Sequence, residues 1–395
     1  MATDVSNPVV SKEAATTSVR VEAPPTIPTP SPVKERLVSL DAFRGFIMFW
    51  IVGGEALMVG LQRLGHNPVT NAIVHELTHT PWQGLRFYDC IWPSFMLMVG
   101  ISVPLSFAKR SRTQTHQQMV LHALKRTIVL ILLGSLRESA FLNTPCLVEL
   151  SSALQPIAVT YFIAVLLVRK SWRVQAAAAA GILAGYALLL ALVPAPGIPA
   201  GTYELNHNLV HYVDIAILGQ ARWDSWPYAA EGWGTFLSTI PTISTTLLGL
   251  LIGELLLSDR SKQYKAKIIG AMGAGCFALG YALSPWIPID MKLWTTSYGL
   301  ASAGVACLMF LAFFWVIDIR GYRQWPFFFV VIGANAVFIY MFASLVLLNH
   351  WVEIFTRAMN THLPQLEALT RAILVVGVEW LILFWMYRRK IFVKA

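Results

Sequence analysis

Apolar residues in this chain fall in blocks of roughly 20, separated by short polar stretches, not in the narrow stripe of a helix with one buried face. A block of that length is what an α-helix needs to cross hydrocarbon, about 20 residues. The pattern predicts ten spans, at about 42–62, 87–108, 126–143, 150–168, 174–193, 234–257, 267–284, 294–317, 326–348 and 368–387. The expected fold class is therefore all-α, a polytopic transmembrane helix bundle. Composition points the same way. Of 395 residues 56% are hydrophobic and 13% charged, with a mean hydropathy of +0.59, whereas soluble domains carry about 25% charged residues.

Residues 1–35 differ from the rest. They are rich in Pro, Ser, Thr, Val and Ala, as in Pro24-Pro25-Thr26-Ile27-Pro28, and contain no apolar core. They are expected to be a disordered cytoplasmic tail, not a signal peptide, because no hydrophobic segment follows a basic start. Residues 36–395 then make up the membrane domain.

The net charge of +9 could suggest a nucleic-acid partner, but its distribution argues against one. With ten spans, all of the 30 Lys and Arg residues fall on one side except Arg63, Arg86, Arg137, Arg222, Lys292, Arg357 and Arg371. The positive-inside rule makes the richer side cytoplasmic. Both termini are then cytoplasmic, and the charge reports orientation. Cys90, Cys146, Cys276 and Cys307 lie in or beside apolar blocks without CxxC spacing, so neither a disulfide framework nor a metal site is expected. No internal repeat is evident, which counts mildly against an inverted-repeat transporter.

The candidate chemistry is concentrated in His79-Thr80-Pro81-Trp82-Gln83-Gly84-Leu85, followed by Asp89, Trp92 and Pro93. The topology puts this block on the far side, between spans one and two. A loop there can fold His79 back over Asp89, whose carboxylate would fix the imidazole tautomer and raise its basicity. The bland alternative is a surface histidine. Trp82 reads either as an interface anchor or as a sugar-stacking platform. In span one, Asp41 and Arg44 share a helix face, either as a helix-end acid with a snorkelling base or as a polar cluster that holds a cofactor. Glu55, after Gly53-Gly54, is an intramembrane carboxylate, and such groups are functional by default. Gly53-Gly54, Gly249 with Gly253 and Gly273 with Gly275 are expected close helix contacts. Asn335 could donate inside the bundle, whereas His75, His116, His207 and His211 show no partner pattern.

The motif Ser39-Leu40-Asp41-x-Phe43-Arg44-Gly45, with His79-x2-Trp82-x-Gly84-x4-Asp89-x2-Trp92-Pro93-x-Phe95-x4-Gly100, resembles the heparan-α-glucosaminide N-acetyltransferase family. Phe49–Glu55 and Leu85–Asp89 resemble its bacterial, NagX-type members. Further matches are Glu231-Gly232, Lys292–Tyr298, Asp318 and Gly333-x-Asn335, so the likeness covers about 36–390. Departures exist: Glu55 falls where the lysosomal enzyme has asparagine, and Pro156 replaces an arginine common in the family.

The resemblance implies transfer of acetyl from cytosolic acetyl-CoA, across an inner (plasma) membrane, to the amine of a glucosamine-type sugar. It places the catalytic histidine at His79, with Asp89 and Glu55 tuning it. Asp41 and Arg44 are the expected acetyl-CoA contacts, and Trp82, Tyr298 and Asn335 the expected substrate contacts. Expected partners are the amino sugar and the lipid bilayer, with a homodimer left open and no nucleic acid. His79 would act as general base or as acetyl carrier. The rival reading is a transporter of N-acetylglucosamine or a related amino sugar, which leaves the His79 block without a chemical task.

Overall fold

The structure is a computed structural model that describes residue 1 and residues 37–65, 67–146, 149–346 and 348–393. The tail expected over 1–35 lies, apart from residue 1, outside the described residues. Leu37–Ala395 folds as one unit, with fifteen α-helices among the described residues. In chain order these are α1 (Val38–Leu64), α2 (Pro68–Leu77), α3 (Ile91–Arg110), α4 (His116–Leu142), α5 (Leu154–Leu167) and α6 (Trp172–Leu192). There follow α7 (Leu209–Leu218), α8 (Gln220–Ser225), α9 (Phe236–Leu257), α10 (Lys262–Leu283) and α11 (Thr296–Phe313). The last four are α12 (Phe327–Ala334), α13 (Ala336–Leu345), α14 (Leu348–His362) and α15 (Pro364–Arg388). A tight turn at Tyr88–Cys90 leads into α3, and α11 continues as a wider π-helical turn over Phe314–Ile319. The sole sheet among the described residues is a two-stranded hairpin pairing Tyr203 with Asn208 and Glu204 with His207.

Eight of these helices are long and apolar enough to cross a membrane, or nine crossings if α12 and α13 count as one. The chain is a polytopic membrane protein with an all-α bundle, but the ten regular spans expected from hydropathy need correction at two places. At 14 residues, α5 is about 21 Å long by its rise per residue, short of a hydrocarbon core about 30 Å thick. The span expected at 326–348 is broken at Asn335, where α12 and α13 meet at 75°. Residues left between the last two expected spans form α14, pinned to α15 by the Thr356 hydroxyl donating to Glu367 at 3.0 Å.

Small residues let the central helices approach closely, the usual route to helix association where lipid removes the hydrophobic drive. A Cβ on Gly100 of α3 would lie 2.9 Å from the Cα of Gly249 on α9, and one on Gly253 would lie 2.5 Å from the Ile101 carbonyl oxygen. Gly273 meets Leu308 of α11 in the same way, whereas Gly275, expected to do likewise, faces open space. At the start of the bundle, Gly45 and Gly333 bring α1 against α12, and Phe43 packs its ring 5.7 Å from Phe310.

Candidate active site

His79 owes its position to a loop closed at both ends. Pro68 and the capping box of Asn67 start α2, with the Asn67 side chain accepting from Val69 N at 3.0 Å and Thr70 N at 2.9 Å. Past Leu77 the chain turns back. Glu76 accepts the Phe87 amide at 2.9 Å, and the Arg86 guanidinium donates to Thr78 Oγ1 at 2.7 Å and to the His79 carbonyl at 3.2 Å. Gly84, at φ +129°, occupies a backbone region that a side chain would strain, and its amide donates to the Ile289 carbonyl at 2.8 Å.

Asp89 is the centre of this loop. It has no exposed surface and collects four donors: His79 Nδ1 at 2.8 Å, Thr80 Oγ1 at 3.0 Å, Arg86 N at 2.9 Å and Thr80 N at 3.4 Å. Its place at the start of α3 also lets the helix dipole favour its negative charge. From below, the hydroxyl of Tyr298 donates to the Asp89 carbonyl at 2.7 Å. A carboxylate can only accept, so Nδ1 carries a proton, and in the neutral ring Nε2 is the nitrogen with the lone pair. Nε2 has no hydrogen-bond partner among the described residues, and the His79 side chain is 38% exposed. The ring is walled by Tyr88 at 4.8 Å and Trp233, edge-on, at 5.7 Å. This is the arrangement of a positioned base or nucleophile.

A second buried carboxylate supports the loop from the α10–α11 side. Asp290 pairs its backbone with Gln83 and accepts the amides of Lys292 at 2.8 Å and Leu293 at 3.0 Å. Burial, with a smaller contribution from nearby Asp89, pushes its carboxyl up to about 7, against the pull of those two amides and of Lys292. Lys292 donates to the Glu231 carbonyl at 2.7 Å and lies 5.6 Å over the Trp233 ring. Burial lowers its ammonium pKa, opposed by Glu231, Asp290 and Asp89.

The remaining sequence-derived residues are dispersed. Glu55 is exposed on α1 and makes no ion pair with His79 or any other side chain among the described residues. Tyr298 is fully buried beneath Asp89, where it braces the loop. Trp82 is clamped, its indole donating to the Tyr203 carbonyl at 2.9 Å and its ring 6.2 Å from His211. Asp41 and Arg44 do meet, at 3.5 Å, and Arg44 also reaches Met98 Sδ at 3.3 Å and Ser102 Oγ at 3.4 Å on α3. Ser102 is thirteen residues beyond Asp89, about 20 Å along the helix, so this pair belongs to the opposite end of the bundle from His79. Asn335 is not brought to His79. Fully buried at the α12–α13 break, it donates to the Ile391 carbonyl at 3.0 Å and accepts from Val393 N at 2.9 Å.

Sequence reasoning missed Thr80, Arg86, Tyr88, Trp233, Asp290 and Lys292 as parts of this site, although all but Trp233 and Asp290 lie in stretches already singled out for their motifs. It also passed over His211, which is buried, accepts from Asn208 Nδ2 at 3.2 Å and donates Nε2–H to the Gly232 carbonyl at 2.8 Å. Among the described residues no group of three or more potential metal ligands is present.

No family model matches the chain. It is 25% identical over 92% of its length to heparan-alpha-glucosaminide N-acetyltransferase of Homo sapiens, and 24% identical over 91% to the protein of that name from Mus musculus. In both cases the matched region is 60% of the relative, so the chain spans about 60% of the length of these curated proteins. The chain is thus similar to these two proteins over most of its own length.

Proposed function

We propose that this protein is a membrane-embedded N-acetyltransferase that moves acetyl from acetyl-CoA to the amine of a glucosamine-type sugar. The observation that carries this reading is the imidazole held by Asp89 at 2.8 Å, its side chain 38% exposed and its Nε2 without a hydrogen-bond partner among the described residues. In the direct mechanism Nε2 takes a proton from the acceptor nitrogen as that nitrogen attacks the thioester carbonyl carbon. The C–S bond then breaks and the thiolate leaves as the free coenzyme. The imidazolium that forms is stabilised by Asp89, whose four donors keep it fixed. In the two-step version Nε2 attacks the thioester carbonyl and expels the coenzyme as thiolate; the acceptor amine then attacks the acetyl carbon, the C–Nε2 bond breaks, and the amine's proton goes to the departing thiolate or to water.

The donor is proposed to enter at the Arg44 end, where basic loops attract phosphates, with its thioester reaching about 20 Å along α3 toward His79. By the positive-inside rule that end is cytoplasmic, in an inner or plasma membrane, and His79 faces the opposite compartment. A second reading, transport of an amino sugar, has one observation in its favour. The break between α12 and α13 resembles the interrupted helices of transporters. Purified protein incubated with labelled acetyl-CoA and a panel of amino sugars separates the two. Label on the sugar supports the transferase; uptake into vesicles without acetylation supports the transporter.

A further inference from the structure

Trp82 and Gln83 of the His79 loop also line an open cleft of about 590 Å³, a size typical of small-ligand sites. None of its lining residues takes part in holding the His79 imidazole. Three pieces of chain build it: Trp82 and Gln83 of the His79 loop, Tyr203, Glu204 and Leu205 of the hairpin, and the turn from Ser284 to Pro288 after α10.

The walls are fixed before any ligand arrives. Trp82 is tied to the hairpin by its indole N–H, and its ring presses on Gly232, where a Cβ would lie 2.5 Å from the ring edge. Gly232 and Asn206, at φ +83° and +57°, shape the turns that make this possible. The pairing of Gln83 with Asp290 ties the loop to the third wall. The polar groups, by contrast, are uncommitted. The Gln83 amide and the Glu204 carboxylate make no side-chain hydrogen bond among the described residues, and the Tyr203 hydroxyl is buried without a partner. An indole, a phenol and two prolines beside an amide, a carboxylate and a hydroxyl are the mixed surface that a sugar needs. Its C–H faces pack on rings while its hydroxyls find hydrogen-bond partners. The one charged lining residue is Glu204, which favours hydroxyl or ammonium substituents and disfavours anionic ones. Trp82 follows His79 by three residues, at most about 10 Å of chain, so one short glycan can reach both.

We propose that this cleft is a glycan-binding subsite for the sugar unit next to the one presented to His79, selective for neutral or amino sugars. The proposal rests on the transferase reading for its place in a reaction, but sugar binding can be measured without it. The test compares glucosamine with its β-linked dimer and trimer, in detergent-solubilised full-length protein, by tryptophan fluorescence titration without donor and by acetyl transfer with it. In the wild type the dimer and trimer should bind about tenfold more tightly than the monomer, roughly one to two hydrogen bonds' worth. Glu204→Gln combined with Tyr203→Phe should erase that advantage while leaving monomer binding and kcat/KM within about twofold. A glycan with a carboxylate on the second sugar should bind no better than the monomer. Equal affinity for monomer and dimer in the wild type, or a variant that weakens both alike, overturns the proposal. Dimer-selective binding that the variant abolishes, without any acetylation, keeps the subsite and rejects the transferase. Acetylation without dimer preference does the reverse.

Discussion

His79 and Asp89 are ten residues apart in sequence and 2.8 Å apart in space, the carboxylate fully buried and the imidazole more than a third exposed. The asymmetry sorts their roles: the ring meets the substrate, and the acid holds the ring. His79→Ala should cut acetyl transfer by about 10²–10⁴-fold, the range for loss of a general base, and by more if the acetyl group is carried on Nε2. Folding should be little changed, since a partly exposed loop side chain contributes little packing. Asp89→Asn should cost less in rate but destabilise the loop, because an amide nitrogen cannot accept the donors now shared between two oxygens. Single-turnover rates and thermal unfolding of both variants check this. A well-folded His79→Ala protein acetylating at the native rate would remove the assignment.

This pair was legible because its partners lie within one short block, where spacing alone limits the geometry. Trp233, Asp290 and Lys292 were not, since Trp233 meets His79, and Asp290 and Lys292 meet Gln83 and Trp233, only across large gaps in sequence. The aromatic residues near Trp233 read equally well as an interface belt. The break at Asn335 was hidden because Asn335 alone interrupts the apolar run from Phe327 to Ala343, and hydropathy cannot register a bend. Asn335 itself looked like a donor to substrate, yet its amide binds the backbone at Ile391 and Val393. Only the return of the C-terminal segment reveals that. The length of α5 was overestimated chiefly at its start, where Leu150, at φ +50°, and Ser151-Ser152-Ala153 precede the helix instead of extending it.

Arg44 supplies the second prediction. Its guanidinium spans Asp41, Met98 and Ser102 at the end of the bundle away from His79. If the donor's phosphates are held there, Arg44→Ala should raise KM for acetyl-CoA by about tenfold, the effect of losing one charge-assisted hydrogen bond. KM for the sugar should be nearly unchanged. Steady-state kinetics with each substrate varied decide the matter, and an unaltered acetyl-CoA dependence would take Arg44 out of the donor site.

Orientation is tested directly. The exposed segment between α3 and α4 carries Arg112, just past Lys109 and Arg110 at the end of α3, and is proposed to be cytoplasmic. A Thr113→Cys variant should resist a membrane-impermeant thiol reagent in intact cells and react after permeabilisation. Labelling from outside would invert the topology and place His79 in the cytosol.

The last prediction concerns pH and the support beneath the His79 loop. Burial raises Asp290 from an ordinary 3.8 to about 7. Between those values the folded protein keeps a proton that the unfolded chain releases, so stability must fall as pH rises through the interval and level off above it. His211 runs the other way: burial lowers it from 6.5 to about 4, so its contribution is complete above 6.5 and is lost as pH falls toward 4. Asp214, raised to about 6 by burial, adds a falling component of its own. The three overlap, and a wild-type curve alone cannot separate them, but a difference curve can. Asparagine has the shape of protonated aspartate, so Asp290→Asn should match the wild type near pH 4. It should then gain on it steadily to about pH 7 and hold a constant lead beyond. Thermal unfolding in detergent across pH 4–9 measures this, and a difference that stays flat from pH 4 to 7 would show that Asp290 is ionised in the folded protein.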